Sequence, residues 1–544
     1  MRPQPLWHPR LRYATFGTLI ALGFVFLYLV VLAGHFANLS SPSAMDFAQV
    51  ARRVVRGQGL TTQLLRPLGL VSFPSVSEQP ELVSPPLQIC LIAAVMRIAG
   101  TEAKAAALAS GIAFLLTLPL VYLLGHRLLG MRAGLLAMAL VGTNLGFLQM
   151  AVSGTEICLG ALLATALLLT LVSIPRDERL RAPLCALAGA LVGLLYLTNY
   201  LWLVLIVGAV GYLVLMLPAG KRLPLVGLML AGFVVICLPW LYRNWVVTRN
   251  PLFTYATSRA VMDTRSHRGN TLYRSCSDEA MSLPAYAASH PHEVWDKTLS
   301  SIQRLYPVLP DLVGLWVMPF LIAAVLFFFG SREFEVFRLI LYACALLLCL
   351  ALTVIAVGVR TLMVFSPAFT VIAAGFFLRL MAQRTEKFSD TAKQRWLIGA
   401  IIALLCLHGL PLAFALAPGA GVIPEEAAPD RAASELASVI DGPVLTDIPW
   451  TIAWVTDRPA IWLPATETDL AKLQTVIGPV KWLLLTPQVL RNVDEERMQA
   501  WAEAWQRGRV TDVRYGDFVV YKRFAGDSWI LFRRVTVPRA TETR

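Results

Sequence analysis

Eleven apolar runs, each of about 20 residues, constrain this chain more than any other feature, because a helix of that length is what a hydrocarbon layer of about 30 Å requires. They fall at 13–33, 104–125, 133–152, 157–174, 183–199, 200–217, 222–241, 311–329, 337–357, 362–380 and 396–416. In lipid every backbone N–H and C=O must be satisfied within the segment, so runs of this kind become helices. Composition agrees: 57% of residues are hydrophobic and 15% charged, whereas about a quarter are charged in soluble proteins. The expected fold is a polytopic α-helical membrane protein with about 11 transmembrane helices, carrying a small soluble α/β domain at its C-terminal end.

Charge sets the orientation. The first run follows Arg2, Arg10 and Arg12 and is too long for the core of a signal peptide, so it is read as a retained helix. The stretch from Pro183 to Pro218 is either one long helix or two that meet at Thr198-Asn199-Tyr200. With two, the basic clusters at Arg127 and Arg132, Arg176 to Arg181, Lys221 and Arg222, Arg332 and Arg338, and Arg379 to Arg395 all fall on one side. A cytoplasmic N-terminus and an odd number of spans then put the C-terminal domain outside the cytoplasm. The net charge of +13 is explained by these loops, and nucleic acid is not an expected partner.

Two long segments, 34–103 and 242–310, lie on the outer side in this arrangement, within a membrane domain of residues 1–416. Leu87 to Ala99 is too short to cross and is expected to lie on the membrane surface, as is a helix over 44–57 with Arg52, Arg53 and Arg56 on its polar face. From 417 to 544 the composition turns soluble. Strands are predicted at 443–447, 460–463 and 481–485, with a closing hairpin at 517–524 and 528–535. Asp457-Arg458-Pro459 reads as a turn with a local ion pair. Seven of the eight cysteines sit in apolar runs and Cys276 in a polar loop, so no disulfide framework is implied.

None of the runs carries Asp, Glu, Lys or Arg well inside it, which argues against an ion-coupled transporter; His408 is the nearest polar group and reads as structural. Polar chemistry is therefore expected at the outer face. Asp46 and Glu156 stand there, each also readable as a helix cap. Arg243, in Pro239-Trp240-Leu241-Tyr242-Arg243-Asn244, and Arg360 stand at the same face, each also readable as an arginine that snorkels to the interface. Two acids and two arginines on one side suit a membrane-borne phosphate and a polar acceptor.

Asp46-Phe47-Ala48-Gln49-Val50-Ala51-Arg52-Arg53, Gly57-Gln58-Gly59-Leu60 and Ser84-Pro85-Pro86-Leu87 resemble the first outer loop of the GT-C superfamily of membrane glycosyltransferases. Within it the similarity is to the branch of the lipid A aminoarabinose transferase and protein O-mannosyltransferase, including bacterial members. His126 to Arg132, Ser153-Gly154-Thr155-Glu156, the Pro239 to Asn244 motif and Arg360-Thr361-Leu362 look like later landmarks in the same order. Two positions depart: Phe47 follows the acid where relatives often have a second acid or Tyr, and Ser84 precedes the prolines where they often have His, Tyr or Lys. The resemblance implies an inverting transferase at the outer face of a bacterial cytoplasmic (inner) membrane, taking sugar from a polyprenyl-phosphate-linked donor to an acceptor hydroxyl on lipid, glycan or protein. It implies Asp46 as base or acceptor-orienting group, Glu156 as acceptor ligand, and Arg243 and Arg360 as phosphate ligands, with Asn244, Pro85 and Pro86 nearby. A divalent metal, Mg or Mn, on Asp46 and Glu156 is a further expectation. Two other classes remain: a transporter or flippase of a lipid-linked saccharide, and a non-catalytic scaffold.

Overall fold

The computed structural model describes residues 9–276, 283–355, 358–417, 430–490, 499–512, 514–526 and 528–535. The first long helices are α1 (Pro9–His35), α2 (Pro42–Val55), α3 (Pro86–Ala99), α4 (Ala103–Leu129), α5 (Met131–Gly142), α6 (Leu145–Ser153) and α7 (Ile157–Ser173). They are followed by α8 (Arg181–Thr198), α9 (Leu205–Met216), α10 (Ala219–Thr248), α11 (Pro291–Leu305), α12 (Met318–Leu326), α13 (Arg332–Ile355), α14 (Ser366–Arg384) and α15 (Asp390–Ala415). The later region adds α16 (Asp430–Val439), α17 (Pro449–Thr456), α18 (Glu467–Ile477) and α19 (Gln499–Val510).

Among the described residues seven helical segments are long and apolar enough to cross a membrane by themselves. The predicted runs 157–174 and 200–217 appear as shorter apolar helices, and 133–152 as the bent pair α5 and α6, at 59°. The run at 311–329 differs from expectation. It holds only the nine-residue α12, joined at 99° to the helical stretch 291–313. Gly314, at φ 87°, makes the corner, and His408 packs against it. His408 also meets the Leu140 carbonyl at 2.8 Å, so it is a packing residue.

Close helix approach follows from small residues, the usual basis of helix association in lipid. A Cβ on Gly189 of α8 would overlap the Met229 carbonyl of α10, and one on Gly232 of α10 would overlap the Ala186 carbonyl of α8. On α7, Gly160 receives the ring of Trp202, which is fully buried and fixes the turn 200–204 between α8 and α9. Thr117, Thr165 and Thr198 return their hydroxyls to the carbonyl four residues back, which satisfies them inside the bundle. The span containing α14 is 89% buried and lies at the centre of the bundle, whereas α1 at 11% forms its rim.

Among the described residues the C-terminal region forms one seven-stranded sheet with strands β1 (Leu64–Leu65), β2 (Val444–Thr446), β3 (Ala460–Trp462), β4 (Trp482–Leu485), β5 (Arg514–Tyr515), β6 (Phe518–Phe524) and β7 (Trp529–Arg534), the first contributed by the long segment after α1. Their order is β1-β3-β2-β4-β7-β6-β5, parallel through β4 and antiparallel beyond it. Alternation at period two sends Leu445, Leu483 and Leu485 into one core and Val444, Trp482 and Leu484 into the other. The edge strand β1 belongs to the first long segment, some 400 residues away in sequence from its partner β3.

Two expectations about the surface change accordingly. Helix α2 does not face water with Arg52 and Arg53, because it is sandwiched between α3 and α17, and only Arg56 past its end stays exposed. Arg53 is buried on Thr61 Oγ1 and the Ser77 carbonyl, and Arg52 lies over the Trp454 ring at 4.0 Å. The Asp457 ion pair is not local to its turn either: Asp457 pairs with Arg56 at 2.5 Å and Arg52 at 3.6 Å, from across the α2–α17 contact.

Replacing Gly189 by Leu forces α8 away from a carbonyl that cannot yield, and is expected to cost about 1–3 kcal/mol, read as earlier thermal unfolding in detergent. An unchanged transition would contradict the close crossing.

Candidate functional site

At one end of the bundle a cavity of about 270 Å³ opens between the helix ends and the two long segments that follow α1 and α10. Asp46 enters it from the second turn of α2, Ser84 and Pro85 from the entrance to α3, and Glu156 from the entrance to α7. Asn199 and Tyr200 come from the break between α8 and α9, and Arg259 from the turn Tyr255–Ala260. Ile355, Gly358 and Thr361 close the side nearest α13 and α14.

Asp46 does not cap its helix, since α2 begins at Pro42 behind Ser41. The side chain is buried and engaged twice: Arg66 Nη2 donates to Oδ2 at 3.1 Å and Gln49 Nε2 to Oδ1 at 2.9 Å. Gln49 in turn donates to Thr62 Oγ1 at 2.7 Å and accepts the Gln63 N–H at 2.9 Å. Gln63 and Arg66 immediately flank β1, so the sheet's edge strand delivers Asp46 its partners. Burial disfavours the Arg66 charge, but Asp46 and Glu81 outweigh it and hold the guanidinium above its ordinary value.

Glu81 completes this group and is fully buried. Its Oε1 accepts the N–H groups of Val83 and Ser84 at 2.8 and 2.7 Å, fixing the turn that presents Pro85. Burial pushes its carboxyl above the usual range, with Asp46 pushing the same way and Arg66 opposing.

Glu156 precedes α7 but its side chain caps nothing. It accepts from Asn199 Nδ2 at 3.2 Å, is drawn to its own backbone N–H, and lines the cavity. Burial raises its pKa, against the pull of Asn199 and Arg259. A carboxylate held this way at a cavity wall has a raised proton affinity, which is the property a general base needs.

The other predicted residues separate into different roles. Arg243 is not at the cavity wall: it donates to the Glu81 carbonyl at 2.8 Å and the Leu60 carbonyl at 3.2 Å, and lies 4.9 Å over Trp240. It pins the base of the loop that carries Glu81, Ser84 and Pro85, rather than reaching for a headgroup. Asn244 is buried, accepts from Arg243 and donates to the Phe253 carbonyl at 3.4 Å. Arg360 is exposed, between Gly358 and Thr361, which do line the cavity. Pro85 lines it, whereas Pro86 occupies the first turn of α3. The expected metal pair fits poorly. Among the described residues no three His, Cys, Asp or Glu side chains converge, and Asp46 is committed to Arg66, so the donor set does not match a divalent ion.

Sequence reading did not single out Arg66, Glu81, Arg259, Asn199 or Tyr200. Asn199 and Tyr200 are noticed only as a helix break. Arg66, in Leu64-Leu65-Arg66-Pro67, carries the one available signal, a charge directly after a short apolar run.

A helical bundle with a sheet at one end recurs in solved structures. The chain has the fold of the GT-C membrane glycosyltransferases. ArnT from Cupriavidus metallidurans bound to undecaprenyl phosphate superposes with a TM-score of 0.57 at 13% identity, covering 96% of this chain and 99% of that one. Its apo form gives a TM-score of 0.58 at 14% identity, covering 96% and 98%. The Archaeoglobus fulgidus oligosaccharyltransferase AglB, in complex with an inhibitory peptide and a dolichol-phosphate, gives 0.54 at 12% identity, covering 96% and 75%. Residues 83–242 match the family model described as dolichyl-phosphate-mannose-protein mannosyltransferase. No curated protein matches the chain by sequence alone. The matched GT-C stretch runs from the turn at Val83 through Glu156 and Asn199 to Tyr242, and so includes much of the cavity wall.

Arg243→Ala removes two charge-assisted bonds to loop carbonyls and is expected to destabilise the protein by about 2 kcal/mol. Differential scanning fluorimetry checks this; unaltered unfolding would mean that the arginine does not hold the loop.

Proposed function

We propose that this protein is an inverting glycosyltransferase that moves a sugar from a polyprenyl-phosphate donor to an acceptor hydroxyl at the outer face of the cytoplasmic membrane. The observation that carries the reading is the cavity, in which two carboxylates from separate elements face one arginine at the ends of membrane helices. Its support in the comparisons is the GT-C fold, shared with proteins solved with undecaprenyl phosphate and with dolichol-phosphate. The basic loops gathered on the other side support the outward placement.

In a single displacement the acceptor oxygen attacks the anomeric carbon, the bond from that carbon to the phosphate oxygen breaks, and the phosphate leaves with the electron pair. The acceptor proton goes to a carboxylate. Asp46, immobilised by Arg66 and Gln49, orients the acceptor hydroxyl. Glu156, at the cavity wall and with a pKa raised by burial, takes the proton. The proton of a sugar or serine hydroxyl is far less acidic than a carboxylic acid, so transfer to Glu156 is late and positioning supplies most of the rate. Arg259 takes the phosphate charge, as a guanidinium fork matches two phosphate oxygens at once. Arg360, exposed between the cavity-lining Gly358 and Thr361, attracts the incoming headgroup.

Asp46→Asn is expected to fold and to lose transfer by about 10²-fold or more, measured as polyprenyl phosphate released from a lipid-linked sugar in vesicles. Full activity would remove Asp46 from the mechanism. Glu156 must be deprotonated to act, so the wild-type rate rises with pH through a pKa above the ordinary carboxylate range. In Glu156→Gln that limb disappears along with most of the rate; a limb that persists would assign the proton to another group.

A further inference from the structure

Helix α11 (Pro291–Leu305) is amphipathic in the inverted sense for a water-soluble element. Trp295, Leu299, Ile302 and, just past its end, Tyr306 recur at helical spacing on one face, and they are exposed by 63%, 47%, 51% and 78%. The opposite face is polar and turned inward. There Glu293 accepts from Ser266 Oγ and Tyr286 at 2.7 and 2.8 Å and Lys297 and Ser301 are buried, while Arg304, exposed at the end of the helix, pairs with Asp263 at 3.4 Å. In water this distribution leaves a contiguous apolar stripe without cover.

Along the chain the stripe runs on into the exposed apolar residues of α12, which with 291–313 forms one candidate span. The helical stretch 291–313 meets α12 at 99°, so it runs across the direction of the apolar α12, and α11 also packs against α13. Past Tyr306 the exposed apolar surface goes on through Leu315 and Trp316 to Ile322, Val325 and Leu326 of α12. Aromatic residues at both ends of a stripe with aliphatic ones between them is the composition of a helix seated at a membrane interface.

The inward face is tied to the site. Lys297, 3% exposed, donates to the carbonyls of Arg259 at 3.1 Å and Ala260 at 2.8 Å. These carbonyls end the turn that carries Arg259 into the cavity.

We infer that α11 is a strut between the bilayer and the site: its apolar stripe lies in the lipid interface, and Lys297 on its other face holds the Arg259 turn at a fixed depth relative to the membrane. Lys297 is thus a positioning residue, and the part given to Arg259 rests on the transferase reading above. A donor whose phosphate is anchored in lipid arrives at one depth only, so a cation whose backbone is referenced to the same surface meets it without searching.

Two measurements test this separately. p-Benzoylphenylalanine is placed at Trp295 or at Ile302, and at Glu503 of α19 as a control, in protein reconstituted into vesicles of phosphatidylethanolamine and phosphatidylglycerol. Irradiation is expected to give phospholipid adducts at 295 and 302 and none at 503. Adducts to protein, or none at 295 and 302, would overturn the lipid placement whether or not the protein is a transferase. Affinity for undecaprenyl phosphate is then compared in Lys297→Met and Lys297→Arg. The first should weaken it by about tenfold and the second largely restore it, with thermal unfolding of both close to wild type. Equal affinity in all three would overturn the positioning role, and failure of the wild type itself to bind would instead overturn the transferase reading.

Discussion

The pairing of Leu64 and Leu65 with Ala460 and Ile461 is the constraint on which the rest of the site depends. Two residues of the first long segment become the edge strand of a sheet whose other strands all lie beyond residue 440. On either side of that strand, Gln63 reaches Gln49 and Arg66 reaches Asp46. The carboxylate is therefore held by a contact that closes only when both ends of the chain have folded. A loop closure of that length is entropically costly, and it is repaid by the buried leucines of β1 and by the α2–α17 contact with its Arg52, Arg56 and Asp457 cluster.

From that contact the charge distribution follows. Asp46, Arg66 and Glu81 form a dense buried set, and Arg243 pins the backbone beside it. Such a group is expensive to desolvate and tolerable only when its members are paired and hydrogen-bonded. Glu156 and Arg259 face the cavity on the far side with fewer partners, so they are free to meet a ligand. The site thus divides into a rigid half, set by the sheet, and a responsive half, set by helix ends and the turn at 255–260.

Much of the architecture is legible in the sequence because lipid imposes a length rule on every span. The strands at 444–446, 460–462 and 482–485 stand where apolar patterning puts them, and the helix break at Asn199 where the distribution of basic loops puts it. Asp46 and Glu156 are legible through motif resemblance and do share one cavity. What patterning misses is long-range. Nothing local marks Leu64-Leu65 as a strand, since its partner is almost 400 residues distant, and so Arg66 and Glu81 look like ordinary loop charges. Arg243 sits in a conspicuous motif, yet its fork is spent on two carbonyls that only the folded loop brings within reach. The corner at Gly314 is hidden for a similar reason: apolar composition is the same whether a segment crosses the membrane or turns along it.

The central claim, transfer from a lipid-linked sugar, is tested most directly in the membrane where the donor is made. Lipid extracts from cells with and without the gene are compared by mass spectrometry. The account predicts that a polyprenyl-phosphate sugar accumulates in the deleted strain and returns to its ordinary level when the intact gene is restored, but not when the restored copy carries Asp46→Asn. Identical lipid-linked sugar pools in all three strains would contradict it.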